Sequence, residues 1–294
     1  MKVLNFGSLN VDYVYSVDHI VQGGETILSS GREAFCGGKG LNQSIALARA
    51  GVPVYHAGAV GTDGQMLLDA CKENGVNTEY VRTLPVPGGH TIIQVDAKGQ
   101  NCIILYGGTN QMQTEESIDA VLADFSEGDY LILQNEVNLL SYIIDKAYER
   151  GMKIVLNPSP FDAQLNGCDL SKVSLFMLNE IEGEQCTGVS EPDAILEALA
   201  AKYPDSATVL TLGSKGAFYY DGKEKVFQDI FKVKAVDTTA AGDTFTGFFV
   251  ASLISGKTPA EALRIAAKAS SIGVTRSGAV PSIPTIEEVL ASLG

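Results

Sequence analysis

The sequence predicts an α/β protein with a mostly parallel sheet and helices on both faces. Two observations carry this. Apolar or β-branched runs recur at Val3–Phe6, Val54–Val60, Tyr130–Gln134, Lys153–Leu156, Ser174–Leu178 and Thr208–Leu212. Runs of this kind suit strands buried on both faces. Between them lie helical stretches at Leu41–Ala50, Met66–Asn74, Ile118–Phe125, Leu139–Arg150 and Pro192–Lys202. Gly51, Gly75 and Gly151 directly follow three of these, as glycines do at helix C-termini.

Two segments break the alternation, Val11–Phe35 and His90–Tyr106. In the second, Asp96-Ala97-Lys98-Gly99-Gln100 reads as a hairpin turn. Together they suit a small sheet inserted between elements of the main layer, either a lid over a pocket or a dimer surface, with a plain surface hairpin as the alternative. Val11, Tyr13 and Tyr15 alternate to one face, and Ile92, Gln94 and Asp96 suggest a hairpin that is not apolar on both sides. No repeat, low-complexity segment or Pro-rich linker divides the chain, so residues 1–294 are expected to form a single domain, with a lid at 11–35 and 90–106.

Charge narrows the partners. The chain carries 21 Lys plus Arg against 35 Asp plus Glu, a formal net charge of −14, without a dense basic run. Such a surface repels phosphate backbones and anionic lipid, which excludes nucleic acid and membrane as main ligands. The five cysteines are scattered and form no C-x-x-C pair, so neither a disulfide framework nor a zinc site is signalled. The most apolar stretch, Thr244–Ile254, is too short to span about 30 Å of hydrocarbon, and the chain opens on a strand. A soluble, uncleaved, cytoplasmic protein is expected. His19, His56 and His90 stand apart and suggest no metal cluster.

The chemistry-bearing segments lie in loops around the predicted strands and helices. In Val236-Asp237-Thr238-Thr239-Ala240-Ala241-Gly242-Asp243, small residues open an apolar helix running to about Ser255. Backbone N–H groups at Ala240, Ala241 and Gly242 would make an anion hole. Asp243 beside it would accept the proton of an attacking hydroxyl while the hole stabilises a transferring phosphoryl group, unless it only complements the helix dipole. Gly37-Gly38-Lys39-Gly40-Leu41-Asn42-Gln43 precedes another helix, and Lys39 and Asn42 suit a polyol or phosphate. It is not a Walker A loop, since Gly40 follows Lys39, and Gly256-Lys257-Thr258 is read as a turn between helices. Gly58-Ala59-Val60-Gly61-Thr62-Asp63-Gly64 fails the dinucleotide pattern G-x-G-x-x-G and reads as a strand-to-helix turn capped by Thr62 or Asp63.

Asn10-Val11-Asp12 follows the first strand, where Asp12 suits vicinal hydroxyls. Asn179 and Glu182 suit water on Mg²⁺ or, equally, the acidic start of a helix. Thr211-Leu212-Gly213-Ser214-Lys215-Gly216 suits a nucleotide phosphate or ribose.

In this order, with Gly24-Glu25-Thr26, Asn157-Pro158-x-Pro160 and Thr275-Arg276-x-Gly278-Ala279-x-Pro281-Ser282, the motifs resemble the ribokinase-like sugar and nucleoside kinases over nearly the whole chain. The resemblance implies a doubly wound sheet with a small β-lid that closes over the sugar and pairs as a homodimer interface. It implies Asp243 as general base and the Ala240–Gly242 backbone as anion hole. Sugar contacts fall on Asn10, Asp12, Gly38, Lys39, Asn42 and Glu136, and nucleotide contacts on Asn179, Thr211, Gly213, Ser214, Gly216 and Gly242. Glu182 would hold Mg²⁺ through water. A monovalent cation, K⁺, would sit by Asp237, Thr239, Gly273, Arg276, Gly278 and Ser282. The expected reaction is ATP-dependent phosphorylation of D-ribose at the 5-hydroxyl. A kinase for fructose, 2-keto-3-deoxygluconate, deoxyribose or a nucleoside is the alternative, and a non-catalytic sugar- or nucleotide-binding regulator is disfavoured because it needs no base.

Overall fold

The apolar runs become strands of one sheet in a computed structural model that describes residues 1–293. In chain order the elements are β1 (Val3–Phe6), β2 (Asn10–Ser16), β3 (Gly31–Gly37), α1 (Lys39–Arg49), β4 (Tyr55–Val60), α2 (Gln65–Glu73), β5 (Asn77–Thr83), β6 (Gly89–Val95), β7 (Asn101–Tyr106), α3 (Glu115–Leu122) and β8 (Tyr130–Gln134). There follow α4 (Leu140–Glu149), β9 (Lys153–Asn157), β10 (Leu175–Asn179), α5 (Glu180–Thr187), α6 (Pro192–Lys202), β11 (Ala207–Thr211), β12 (Ala217–Tyr220), β13 (Lys225–Gln228), α7 (Ala241–Ile254), α8 (Pro259–Gly273) and α9 (Ile286–Leu293). The large sheet has nine strands in the order β13-β12-β11-β10-β9-β8-β1-β4-β5. All pairings are parallel except those of β12 with β11 and with β13.

Strand periodicity divides the core in two. Leu4, Phe6, Leu131, Leu133, Ile154 and Leu156 face one cluster, closed by apolar residues of α3, α4 and α6. Val3, Ile132 and Val155 point the other way, into a cluster with α1, α7 and α8. No helix among the described residues is long and apolar enough to cross a membrane.

The edge elements were not anticipated. β5 is Asn-Thr-Glu-Tyr-Val-Arg-Thr, half-polar because it closes one border of the sheet, and β12 and β13 form an antiparallel hairpin at the other. The helix after Gly64 also starts differently: Gly64 is its N-cap, while Asp63 accepts from the Gly88 amide.

The two irregular segments do join in one four-stranded sheet, β3-β2-β6-β7, with β2 and β6 parallel. Its hairpin turns where expected, Gly99 N–H donating to the Asp96 carbonyl at 2.9 Å. The polar second side expected from Gln94 and Asp96 does not extend to β7. There Ile103 and Leu105 alternate with Ile104 and Tyr106, and all four are at least half-exposed, so this edge strand is apolar on both faces.

Candidate active site

The site gathers where the parallel strands end. α7 is apolar nearly all round and buried over Asp243–Ser252, and its first turn is held between α1 and α8, the Ser270 hydroxyl donating to the Ala241 carbonyl at 3.2 Å. Ala240, the residue before it, adopts φ 57° and ψ 13°, a left-handed conformation that a non-glycine residue holds only when its surroundings impose it. The bend sends one amide inward, Ala241 N–H to the Thr238 carbonyl at 3.2 Å, whereas the amides of Gly242 and Asp243 have no backbone acceptor. Asp243 is buried, and both of its oxygens accept side-chain amides: Oδ1 from Gln43 Nε2 at 2.9 Å and Oδ2 from Asn42 Nδ2 at 3.1 Å. Charge-assisted bonds of this type orient a carboxylate firmly.

Facing it is a polar cup. Gly38 caps α1 with φ 93°, a backbone angle that suits glycine. The turn aims the Lys39 amide at Glu136 Oε2, 3.1 Å away, and the Ser8 hydroxyl donates to the same oxygen. Burial alone would lower the pKa of the Lys39 ammonium, but Asp243, Glu136 and Glu182 together outweigh it and hold the group above its ordinary value. Burial raises the Glu136 carboxyl despite the opposing pull of Lys39 and Ser8.

The small sheet supplies the rest of the cup. Asp12 Oδ1 accepts from Thr91 Oγ1 at 2.6 Å, across the β2–β6 register, and burial raises its carboxyl even so. Gly37 makes room for it, since a Cβ there would sit 2.0 Å from Asp12 Oδ2. Asn10 Oδ1 accepts from Asn110 Nδ2 at 2.7 Å. Thr91, Asn110 and Gln43 were missed by sequence reasoning. Only Gln43 had a visible signal, as the last residue of the glycine-rich motif, where Lys39 and Asn42 alone were given a role.

Two adjoining cavities complete the cleft. One, of about 270 Å³, is lined by Lys39, Asn179, Glu182, Gly242 and Asp243 among others. The second, of about 360 Å³, is mainly apolar, with Phe231, Val233, Phe245 and Ala267 beside Gly213, Ser214 and Gly216. Thr211, Thr238, Ala241 and Gly242 line both, so the space is continuous past the α7 start. Asn179 and Glu182 form the acidic helix start expected as one reading of their segment. They cap α5 reciprocally, Glu182 N–H to Asn179 Oδ1 at 2.9 Å and Asn179 N–H to Glu182 Oε2 at 3.0 Å, while also lining the first cavity.

The turn before α7 is tied to the segment after α8. Asp237 Oδ1 accepts from the Thr239 amide and hydroxyl, and Oδ2 from the Gly278 amide at 2.8 Å. Despite some desolvation, these bonds lower the Asp237 carboxyl's pKa. The Arg276 guanidinium pairs with Glu288 on α9 at 2.7 Å, so any contact it makes with a cation falls to its backbone. The Gly273 carbonyl accepts from the Arg276 amide, and Ser282 Oγ donates to the Ala279 carbonyl. Among the described residues no group of three or more His, Cys, Asp or Glu side chains could hold a metal ion.

An ionisable carboxylate at an amide-lined helix start, with a polar cup on one side and an apolar slot on the other, is the layout of a small-molecule phosphotransferase. Comparison with known proteins agrees. The description "pfkB family carbohydrate kinase" matches residues 1–286, and the chain belongs to that family. It is 36% identical over 298 residues to ribokinase of Haemophilus influenzae, covering 98% of this chain and 96% of that protein. Among solved structures, Arabidopsis thaliana ribokinase complexed with ribose and ATP superposes with a TM-score of 0.89 at 29% identity, covering 99% of this chain and 98% of that one. Ribokinase from Cryptococcus neoformans var. grubii in complex with ADP gives 0.86 at 33% identity, covering 99% of both.

Proposed function

We propose that the protein transfers the γ-phosphoryl group of ATP to the 5-hydroxyl of D-ribose, as a single domain whose small sheet acts as a lid. The observation that carries the reading is Asp243, buried at the start of α7 beside unpaired amides, with its two oxygens already oriented by Asn42 and Gln43. It accepts the hydroxyl proton as oxygen attacks phosphorus. The α7 amides, centred on Gly242 within the expected Ala240–Gly242 hole, receive the charge that spreads over the phosphoryl oxygens, and Lys39 balances that charge from the cup.

Asn10, Asp12, Gly38, Lys39, Asn42 and Glu136 hold the sugar. The relatives' complexes with ribose and ATP, and with ADP, support the choice of both substrates. Asn179, Thr211, Gly213, Ser214 and Gly216 border the nucleotide, whose base fits the apolar slot near Phe231 and Ala267.

The donor set suits a hydrated Mg²⁺ carried mainly by phosphate oxygens, because Glu182 lines the cavity without a second clustered acid. Glu182 would hold it through water, and the ion would neutralise phosphate charge. The bracing of the Asp237 carboxylate between Thr239 and Gly278 fits K⁺, held by that carboxylate and by backbone oxygens of Thr239, Gly273, Arg276, Gly278 and Ser282, which would firm the turn before α7. The exposed apolar edge of β7 supports a homodimer through the lid, the second copy covering Ile103 and Leu105. A cytoplasmic location accords with the acidic, non-basic surface.

The test is ATP consumption across ribose, deoxyribose, fructose, 2-keto-3-deoxygluconate and nucleosides. The highest kcat/KM is expected with ribose and with phosphate recovered on the 5-oxygen. A better substrate elsewhere in the panel would replace ribose, and binding without turnover would make the protein a regulator.

A further inference from the structure

Three amides end adjacent parallel strands on one face of the sheet where apolar residues would continue the core. Asn5 on β1, Gln134 on β8 and Asn157 on β9 share the face of Val3, Ile132 and Val155, by the alternation of each strand, and lie under α1. Asn5 and Gln134 are fully buried, and Gln43 of α1 reaches down among them.

Their hydrogen bonds leave a single consistent orientation. Asn5 Nδ2 donates to the Gly40 carbonyl at 3.0 Å, which turns Asn5 Oδ1 toward Gln134. Gln134 Nε2 donates to Asn5 Oδ1 at 3.1 Å and to Gln43 Oε1 at 2.7 Å. From the other end, Asn157 Nδ2 donates to the Met177 carbonyl at 2.8 Å, which leaves Asn157 Oδ1 to accept from Gln43 Nε2 at 3.3 Å. Backbone carbonyls can only accept, so two separate anchors, Gly40 and Met177, dictate the same result. Gln43 must point Nε2 at Asp243.

The orientation is kept although it strands an acceptor. Gln134 Oε1 is buried without a partner, and it fits only because residue 7 is glycine, where a Cβ would lie 2.3 Å away. Turning Gln134 over would instead set its oxygen against those of Asn5 and Gln43.

We propose that Gln43 is a positioning residue for phosphoryl transfer, locked from both ends by this amide chain so that it always donates to Asp243 Oδ1. The inference rests on reading Asp243 as the base. Lys39 on α1, Glu136 after β8 and Glu182 on α5 are the other charged groups around Asp243, and none of them hydrogen-bonds it. The donor from Gln43 stabilises the carboxylate form and holds its plane, while Oδ2 is left to Asn42 and the incoming hydroxyl.

Gln43→Met keeps side-chain length and removes the donor. Its kcat is expected to fall roughly 10- to 100-fold, with KM for sugar and ATP each changed less than about threefold. The acidic limb of its kcat–pH profile is expected to move upward, because the ionised base loses a charge-assisted bond. Gln43→Glu, which keeps the volume and can be checked for folding by thermal melting, should move the limb further up by placing a second carboxyl beside the first. A lowered melting temperature with the acidic limb unmoved in both variants would reduce Gln43 to a structural role and overturn the proposal. So would a loss confined to KM. Asp243→Asn separates the two levels of the reading: if it retains more than about a tenth of the wild-type rate, the base assignment fails and the proposal fails with it. An inactive Asp243→Asn beside a Gln43→Met of normal pH profile overturns only the positioning role.

Discussion

The two carboxylates read as working parts of the site, Asp243 and Asp12, stand on very different ground. Asp243 rises from α7, whose Phe248 and Phe249 are fully buried and whose flanking network of amides leaves little freedom. Asp12 stands on a four-stranded sheet whose outer edge, β7, is exposed along its whole length. The first region has its geometry built in by packing. The second leaves its apolar edge open to solvent. Under the proposed function, rate is expected from the packed side and recognition from the open one.

The largest test of that division is Asp243→Asn. It should lower kcat by roughly 10²–10⁴-fold while leaving sugar affinity within a few-fold, measured by turnover and calorimetry side by side. An equal loss in both measurements would blur the two roles.

The rigidity of the packed side also has a pH signature. His56, under α1, is fully buried, bonded to the Ser44 hydroxyl at 2.8 Å and the Gly7 carbonyl at 3.2 Å, and burial lowers its pKa to about 4. In the unfolded chain it titrates near its ordinary 6.5, so between those values the unfolded state binds more protons and stability falls as the pH drops. The loss by pH 4 should be about 3 kcal/mol. Burial raises the Asp12 and Glu136 carboxyls, which pull the other way, so the comparison of wild type with His56→Gln in urea midpoints from pH 7 to 4 isolates the histidine. Parallel curves would show that this side is not as closed as its packing indicates.

On the open side, Asp12→Ala should weaken sugar binding by about 1.5–3 kcal/mol for each charged hydrogen bond lost, with ATP affinity nearly unchanged in calorimetry. Equal losses for both ligands would make Asp12 a structural partner of Thr91. The smallest effect on folding is expected from Leu105→Ser. As an exposed residue of β7 it should shift monomer stability by no more than about 0.5 kcal/mol, yet shift sedimentation toward monomer at micromolar concentration. A dimer that persists would place the interface elsewhere. Hydrogen exchange at saturating ribose should slow in β2 and β6 together and leave α7 unchanged, and equal slowing in both regions would erase the contrast.

The reach of sequence reading followed the same division. β1, β8, β9, β10 and β11 announce themselves as continuous apolar runs because both of their faces are buried, and the α7 start announces itself through small residues followed by an acid. β5 did not, because at the border of the sheet both of its faces are only partly covered, Tyr80 packing on one core cluster and Val81 on the other, and its sequence carries polar residues between. β13 holds the opposite edge with β12 beside it, and α9 was also passed over, whereas α8 is the helix implied after the turn at Gly256-Lys257-Thr258. Thr91 and Asn110 are silent in sequence, since nothing local marks a threonine opposite an aspartate 79 residues away or an asparagine 100 residues from its partner.

Local chemistry therefore determined the layered α/β order, the small inserted sheet, and the candidate residues Asp12, Lys39, Asn42, Glu182 and Asp243, because backbone propensity, apolar period and glycine turns act over a few residues, while Glu136 entered only through the family resemblance. Tertiary structure alone decided which of these meet. Strand register put Gln134 beside Asn157 and Asn5 diagonal to Gln134, within reach of its amide, and the packing of α1 on α7 set Asn42 and Gln43 against the two oxygens of Asp243. The physical reason is that a hydrogen bond between residues some 200 positions apart depends on how whole elements pack, which no short stretch of sequence records.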